Sequence, residues 1–174
     1  MSNEITVLDD GHPISFTFDC INAYHGGGFP GGVAHALKAM QAAFPLLSTT
    51  PLERREVEIV TAFSGPGGRD ALEMVTRAVT GGRLTVDKSI GGTHVINDPP
   101  GPYVFRFSYR GKTVEAVTKP GHVKEEFVTL GAKPDKTPDE IARHEELKAE
   151  MAYRLLPLAG SEVYAASIIF PGFE

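Results

Sequence analysis

Two glycine-rich segments constrain this chain more than any other feature. "HGGGFPGG" spans 25–32 and "SGPGG" spans 64–68, and each leads into a helical pattern. Glycine is used this densely where φ is positive or where backbone comes close to another group. After the first segment, Val33, Leu37, Met40 and Phe44 recur at helical spacing and share one face. Pro45 is expected to end that helix. After the second, Ala71, Leu72, Val75 and Val79 make another stripe. The glycines at 64–68 are expected to form a loop, with Arg69 and Asp70 in the first helical turn and Gly81-Gly82 as the stop.

The rest of the chain gives strand signals and one strong helix start. "VEIVTAF" (57–63) is rich in β-branched residues and reads as a buried strand, and "RLTV" (83–86) as a short one. "NDPPGP" (97–102) reads as a rigid turn. In "YVFRFSYRGKTVEAV", Tyr103, Phe105, Phe107 and Tyr109 alternate with other residues, and Arg110-Gly111 is expected to turn a hairpin. Thr137, Pro138 and Glu140 spell a capped helix start, with Ile141, Leu147, Met151 and Leu155 on its apolar side. "EVYAASIIF" (162–170) reads as a last strand. Helix, strand, helix and then several strands is the order of an α+β protein, not of a doubly wound sheet.

A chain of 174 residues with 41% hydrophobic content suits one domain, 1–174, with a real core. A net charge of −5 excludes the basic footprint of a nucleic-acid binder. One cysteine excludes a disulfide framework. No segment has the length and apolarity of a membrane span, so a soluble, cytoplasmic protein is expected.

The glycine run is not a phosphate cradle of a known kind. A P-loop requires a lysine that "HGGGFPGG" does not have. Gly26, Gly28 and Gly31 meet the dinucleotide-binding spacing formally, but Pro30 lies inside the loop and no acidic residue ends a second strand about twenty residues on. A glycine turn entering a helix accounts for the glycines. It leaves Tyr24-His25 unexplained, and a histidine at a helix mouth is placed for a metal or an anion. Two such loops, each opening a helix, are expected to converge on one cavity. Asp70 reads either as a site carboxylate or as ordinary helix-end stabilisation.

At these residues the sequence resembles the FmdE-like domains, a family named for a component of formylmethanofuran dehydrogenase. The family motif His-Gly-His-x-Cys-Pro-Gly aligns with His25-Gly26-Gly27-Gly28-Phe29-Pro30-Gly31. A second motif, Cys-x-x-Asp-Ala-x-Gln, aligns with Gly67-Gly68-Arg69-Asp70-Ala71-Leu72-Glu73. The resemblance covers roughly 20–117 and leaves 118–174 as an extension. It implies a mixed sheet with helices packed on one face, and a divalent metal, zinc first among them, held by Cys and His. Here Gly27, Phe29 and Gly67 stand at the second histidine and the two cysteines, and none supplies a side-chain ligand. His25 and Asp70 persist. Cys20, His94 and His122 are the side chains that would complete a changed metal site with them.

Two functions follow as expectations. One is an enzyme that keeps the family pocket, by analogy for carbonyl or one-carbon chemistry. In it His25, Asp70 and Tyr24 carry the catalysis, and Arg69, Lys119 and His122 contact an anionic or carbonyl substrate. The other is a non-catalytic module or accessory subunit that binds a metal or a small molecule. His35, His144 and His12 read as structural or solvated. The apolar strand Tyr103–Tyr109, with family habit, suggests a homodimer.

Overall fold

The computed structural model describes residues 3–91 and 103–172. An antiparallel hairpin, β1 (Glu4–Asp9) and β2 (His12–Thr17), leads into α1 (Phe18–His25) and α2 (Pro30–Leu47). Then come β3 (Glu58–Thr61), α3 (Pro66–Thr76), β4 (Leu84–Val86), β5 (Val104–Tyr109) and β6 (Lys112–Thr118). The chain closes with α4 (Glu125–Ala132), α5 (Pro138–Leu155), the single turn α6 (Gly160–Val163) and β7 (Tyr164–Phe170). Five strands form one mixed sheet in the order β4-β3-β5-β6-β7, with β3 and β4 parallel and the other pairs antiparallel. The fold is α+β, as the order of elements implied. Among the described residues no helix is long and apolar enough to cross a membrane.

α2 is the central element. Twelve of its eighteen residues are buried, because the sheet, α1, α3 and α5 pack around it. Its alanines 34, 36, 39 and 43 let those neighbours approach closely. Phe105 and Phe107 on β5 are fully buried against it, and Phe44 meets Phe107 edge to face at 5.4 Å. Tyr103 and Tyr109 are core residues too. The aromatic strand is thus spent on the fold's own interior and offers no face to a second copy, which removes the structural reason for expecting a homodimer.

Local chemistry explains most element ends. Arg110 and Gly111 have φ of 48° and 85°, the left-handed pair of a tight hairpin turn. α5 has the full capping box, with Thr137 and Glu140 each bonding the other's backbone. α5 packs its buried Leu147, Met151 and Leu155 side on α2. Two expectations need correction. Pro45 lies inside α2, in its last turn, where the helix continues to Leu47. Proline's fixed φ suits a helix, and the single donor lost there is near the end. α3 includes Gly67 and Gly68, which are helical rather than loop, so Arg69 and Asp70 sit beyond its first three residues. It stops at Thr76, before Gly81, because Arg77 is left-handed and the Glu73 carboxylate accepts from the Val79 and Thr80 amides at 2.8 and 3.0 Å. The "NDPPGP" turn lies outside the described residues.

Two polar side chains lie deep in α2. Lys38 Nζ donates to the carbonyls of Leu158 (2.6 Å) and Leu156 (3.3 Å) and to Asn3 Oδ1 (3.1 Å), which ties the N-terminus and the α5–α6 connection onto the helix. His35 is fully buried, with Nδ1 2.9 Å from the Tyr164 hydroxyl and its ring 4.4 Å from Tyr103. Burial, with His122 and Arg154 adding to it, depresses the His35 pKa from 6.5 to about 3. The unfolded chain therefore takes up a proton below about pH 6.5 that the folded one refuses, so this contribution to stability is full above that pH and is lost as pH falls. Urea unfolding is predicted to show wild-type stability falling by about 2 kcal/mol between pH 7.5 and 5. His35→Gln should remove most of that slope. An unchanged slope would show that His35 is not held neutral.

Candidate functional site

The first turns of α2 and α3 cross in backbone contact, and glycine permits it. A Cβ on Gly32 would lie 3.2 Å from Gly68 N and 3.5 Å from Gly67 Cα. One on Gly67 would fall on the Phe29 carbonyl oxygen and 3.1 Å from Val33 N. Gly31 meets Met151 Sδ at 2.7 Å, and Gly68 has the Phe63 ring where a Cβ would be. The glycines thus serve close helix approach, while Gly26 and Gly27, with φ of 87° and 77°, end α1. Both helices begin with proline, and neither has a side-chain cap or an acidic residue in its first turn. Helix geometry leaves the first-turn N–H groups without intrahelical acceptors, so two positive helix ends meet at one place.

His25 and Asp70 come together beside this crossing. His25 Nδ1 lies 2.7 Å from Asp70 Oδ2, and the Phe29 amide donates to His25 Nε2 at 3.1 Å. An accepting Nε2 places the ring proton on Nδ1, where it is donated to the carboxylate. The His25 side chain is 6% exposed and Asp70 39%. The pair therefore pins the end of α1 and the Gly26–Phe29 turn to α3. Both ring nitrogens are engaged, which accounts for Tyr24-His25 without a bound ligand. Tyr24 itself is exposed on the last turn of α1.

The other expected site residues are scattered. Cys20 is half-buried on α1, its amide bonded to the Thr17 cap at 3.2 Å. Lys119 Nζ donates to Ser161 O at 2.6 Å and His122 Nε2 lies 3.0 Å from Glu162 O, so both serve to hold the loop after β6 against α6. Arg69 is exposed and lines only a recess of about 20 Å³ with Ser64 and Val86. His94 lies outside the described residues. Among the described residues no three His, Cys, Asp or Glu side chains are grouped as metal ligands. A zinc site takes three or four such donors.

What the crossing does create is a cleft of about 360 Å³ between the helix ends and the α4–α5 pair. Phe29, Phe63, Tyr103 and Phe127 wall it, with His144 and Lys148 from α5. Gly32, Gly65 and Gly67 line its base with bare backbone. Lys148 Nζ stands 4.3 Å over the Phe29 ring and pairs with the exposed Glu145 at 2.7 Å. His144 stacks on Phe127 at 5.1 Å. Its Nε2 is buried with no hydrogen-bond partner among the described residues. Burial first, then Lys148 and Lys136, lowers its pKa and favours the neutral ring. His144, read from the sequence as structural or solvated, is thus a wall of the cleft. So are Phe29 and Gly67.

No family model matches the chain, and no curated protein matches it.

If the dyad is a structural pin, its two members should act as one unit in folding. His25→Ala and Asp70→Asn are each predicted to lower stability, with a coupling of about 0.5–3 kcal/mol in a double-mutant cycle. Additive losses in denaturant unfolding would mean that the two side chains do not support each other.

Proposed function

We propose that this chain binds a small organic molecule in the cleft at the α2–α3 crossing. One observation carries the reading: two helix ends, four aromatic rings and two α5 side chains enclose about 360 Å³. That volume is at the lower end of the roughly 300–1,000 Å³ typical of small-molecule sites, which are also mostly apolar with a few polar groups. A larger cleft, of about 450 Å³, lies between β1 and the end of α2, but it is open to solvent and its lining has no cation. The cleft at the crossing is lined mainly by aromatic rings and bare backbone with a few polar groups, a lining that supports binding of a small molecule.

The resemblance to FmdE-like domains fits this reading in position and not in chemistry. The cleft lies where the family motifs meet, with an aromatic wall in place of thiolates. A second reading keeps a divalent metal, zinc first, and an enzyme built on His25. It rests on the 2.7 Å His25–Asp70 bond, the arrangement that orients a ligating imidazole. It requires the Phe29 amide to release Nε2 and a further donor such as His94. Elemental analysis separates the two readings, since one zinc per chain would favour the second.

Gly131 lines the cleft from α4, and a Cβ there meets only His144 Nε2, at 3.6 Å. Gly131→Leu should therefore fill the cleft while leaving the fold intact. Indole is the neutral probe. Saturation-transfer NMR is predicted to show indole contacting the wild-type protein, with the signal lost in Gly131→Leu at unchanged melting temperature. Equal transfer to both proteins, or none to either, would remove the cleft as the site.

A further inference from the structure

The charge around the cleft says more about its occupant than its volume does. The one full charge among its described lining residues is the Lys148 ammonium, whose side chain is 11% exposed. An ammonium has three donors, and the Glu145 pair on the solvent side uses one. The first turns of α2 and α3 add two positive helix ends at the base, with no first-turn carboxylate, and Asp70 in the next turn of α3 is bonded to His25. The buried His144 Nε2, without a partner among the described residues, is a further polar group seeking one. Between these lie the Phe29, Phe63, Tyr103 and Phe127 rings. Flat aromatic walls favour a flat, apolar body, which they contact by offset or edge-on stacking.

We propose that the cleft takes a small aromatic carboxylate, its ring between Phe29, Phe63, Tyr103 and Phe127 and its carboxylate on Lys148 Nζ. This inference rests on the small-molecule reading of the same cleft. An anion there is drawn by both like-signed helix ends, which repel when bare, and gives the Lys148 ammonium a second charged hydrogen-bond partner beside Glu145. The occupant is a monoanion of one or two rings, matched to a cleft of about 360 Å³ with one lysine. A diphosphate would need more donors than one lysine and two helix ends supply.

The test uses benzoate and its neutral isostere benzamide, titrated against the full chain by ligand-observed NMR. Wild-type protein should bind benzoate at least about tenfold more tightly than benzamide. The preference should weaken as salt is raised. Lys148→Met keeps the apolar stem over Phe29 and should bring the two probes to within about threefold of each other. Lys148→Arg keeps the charge and should retain the preference. Two results would overturn the inference while leaving the cleft as a binding site: indole and benzamide binding as well as benzoate, or a benzoate preference that survives Lys148→Met. Failure of indole, benzamide and benzoate alike would overturn the small-molecule reading itself, and this inference with it.

Discussion

The structure turns on the contact between two helix ends that have no side chains to keep them apart. α2 and α3 can cross at Gly32, Gly67 and Gly68 only because no Cβ stands between their backbones. Everything near the site follows from that approach. It sets Asp70 within reach of His25, lays Phe29 across the base of α3, and leaves a gap that α4 and α5 close over. Close packing of this kind is intolerant, since an added methylene in a packed core costs about 1–3 kcal/mol. The crossing is electrostatically unfavourable as well. Both ends are positive, neither is capped by a side chain, and each begins with a proline that gives up one donor. Tight packing and two positive helix ends at one place are what the proposed anion site rests on.

Much of this was legible in the sequence. The helix start at Thr137, the hairpin turn at Arg110-Gly111 and the α+β order are local signals, and local signals survive folding. The repeated glycine motif and the family-like segments marked His25 and Asp70 as candidates for one place, and the structure brings the two together. The β1–β2 hairpin turns at Asp10-Gly11, with φ of 52° and 78°, an Asp-Gly signal that could also have been read from the chain. Other features were hidden for physical reasons. α2 is buried on nearly every side, so a one-face stripe understates it, and the fully buried Lys38 and His35 look from the sequence like solvated residues. Gly67 and Gly68 look like loop residues because their helix-breaking tendency is strong. Tertiary contact overrides that tendency where only glycine fits.

The site residues illustrate the same limit. Titratable side chains beside the glycines point to His25 and Asp70, yet the two are engaged with each other, and His25 also with the Phe29 amide. The cleft is made mostly by residues whose types carry no chemical label, four aromatic rings and four glycines, with a histidine and a lysine from an α5 face that reads as charged and solvated. Lys148 sits one helical turn from His144, and that i,i+4 spacing was the signal that they share a face. What no spacing could give is that this face turns towards Phe29, because that depends on how α5 packs across α2.

The central claim is that the helix crossing is the binding site. It is tested most directly by following backbone amide shifts on a 15N-labelled chain as indole is added. The largest changes are predicted at Gly32, Gly67, Gly131 and Lys148, which surround the cleft. Changes confined to Thr6, Gln41 and Ser48, which line the open cleft beside β1, would contradict the account and place the site at the other end of α2.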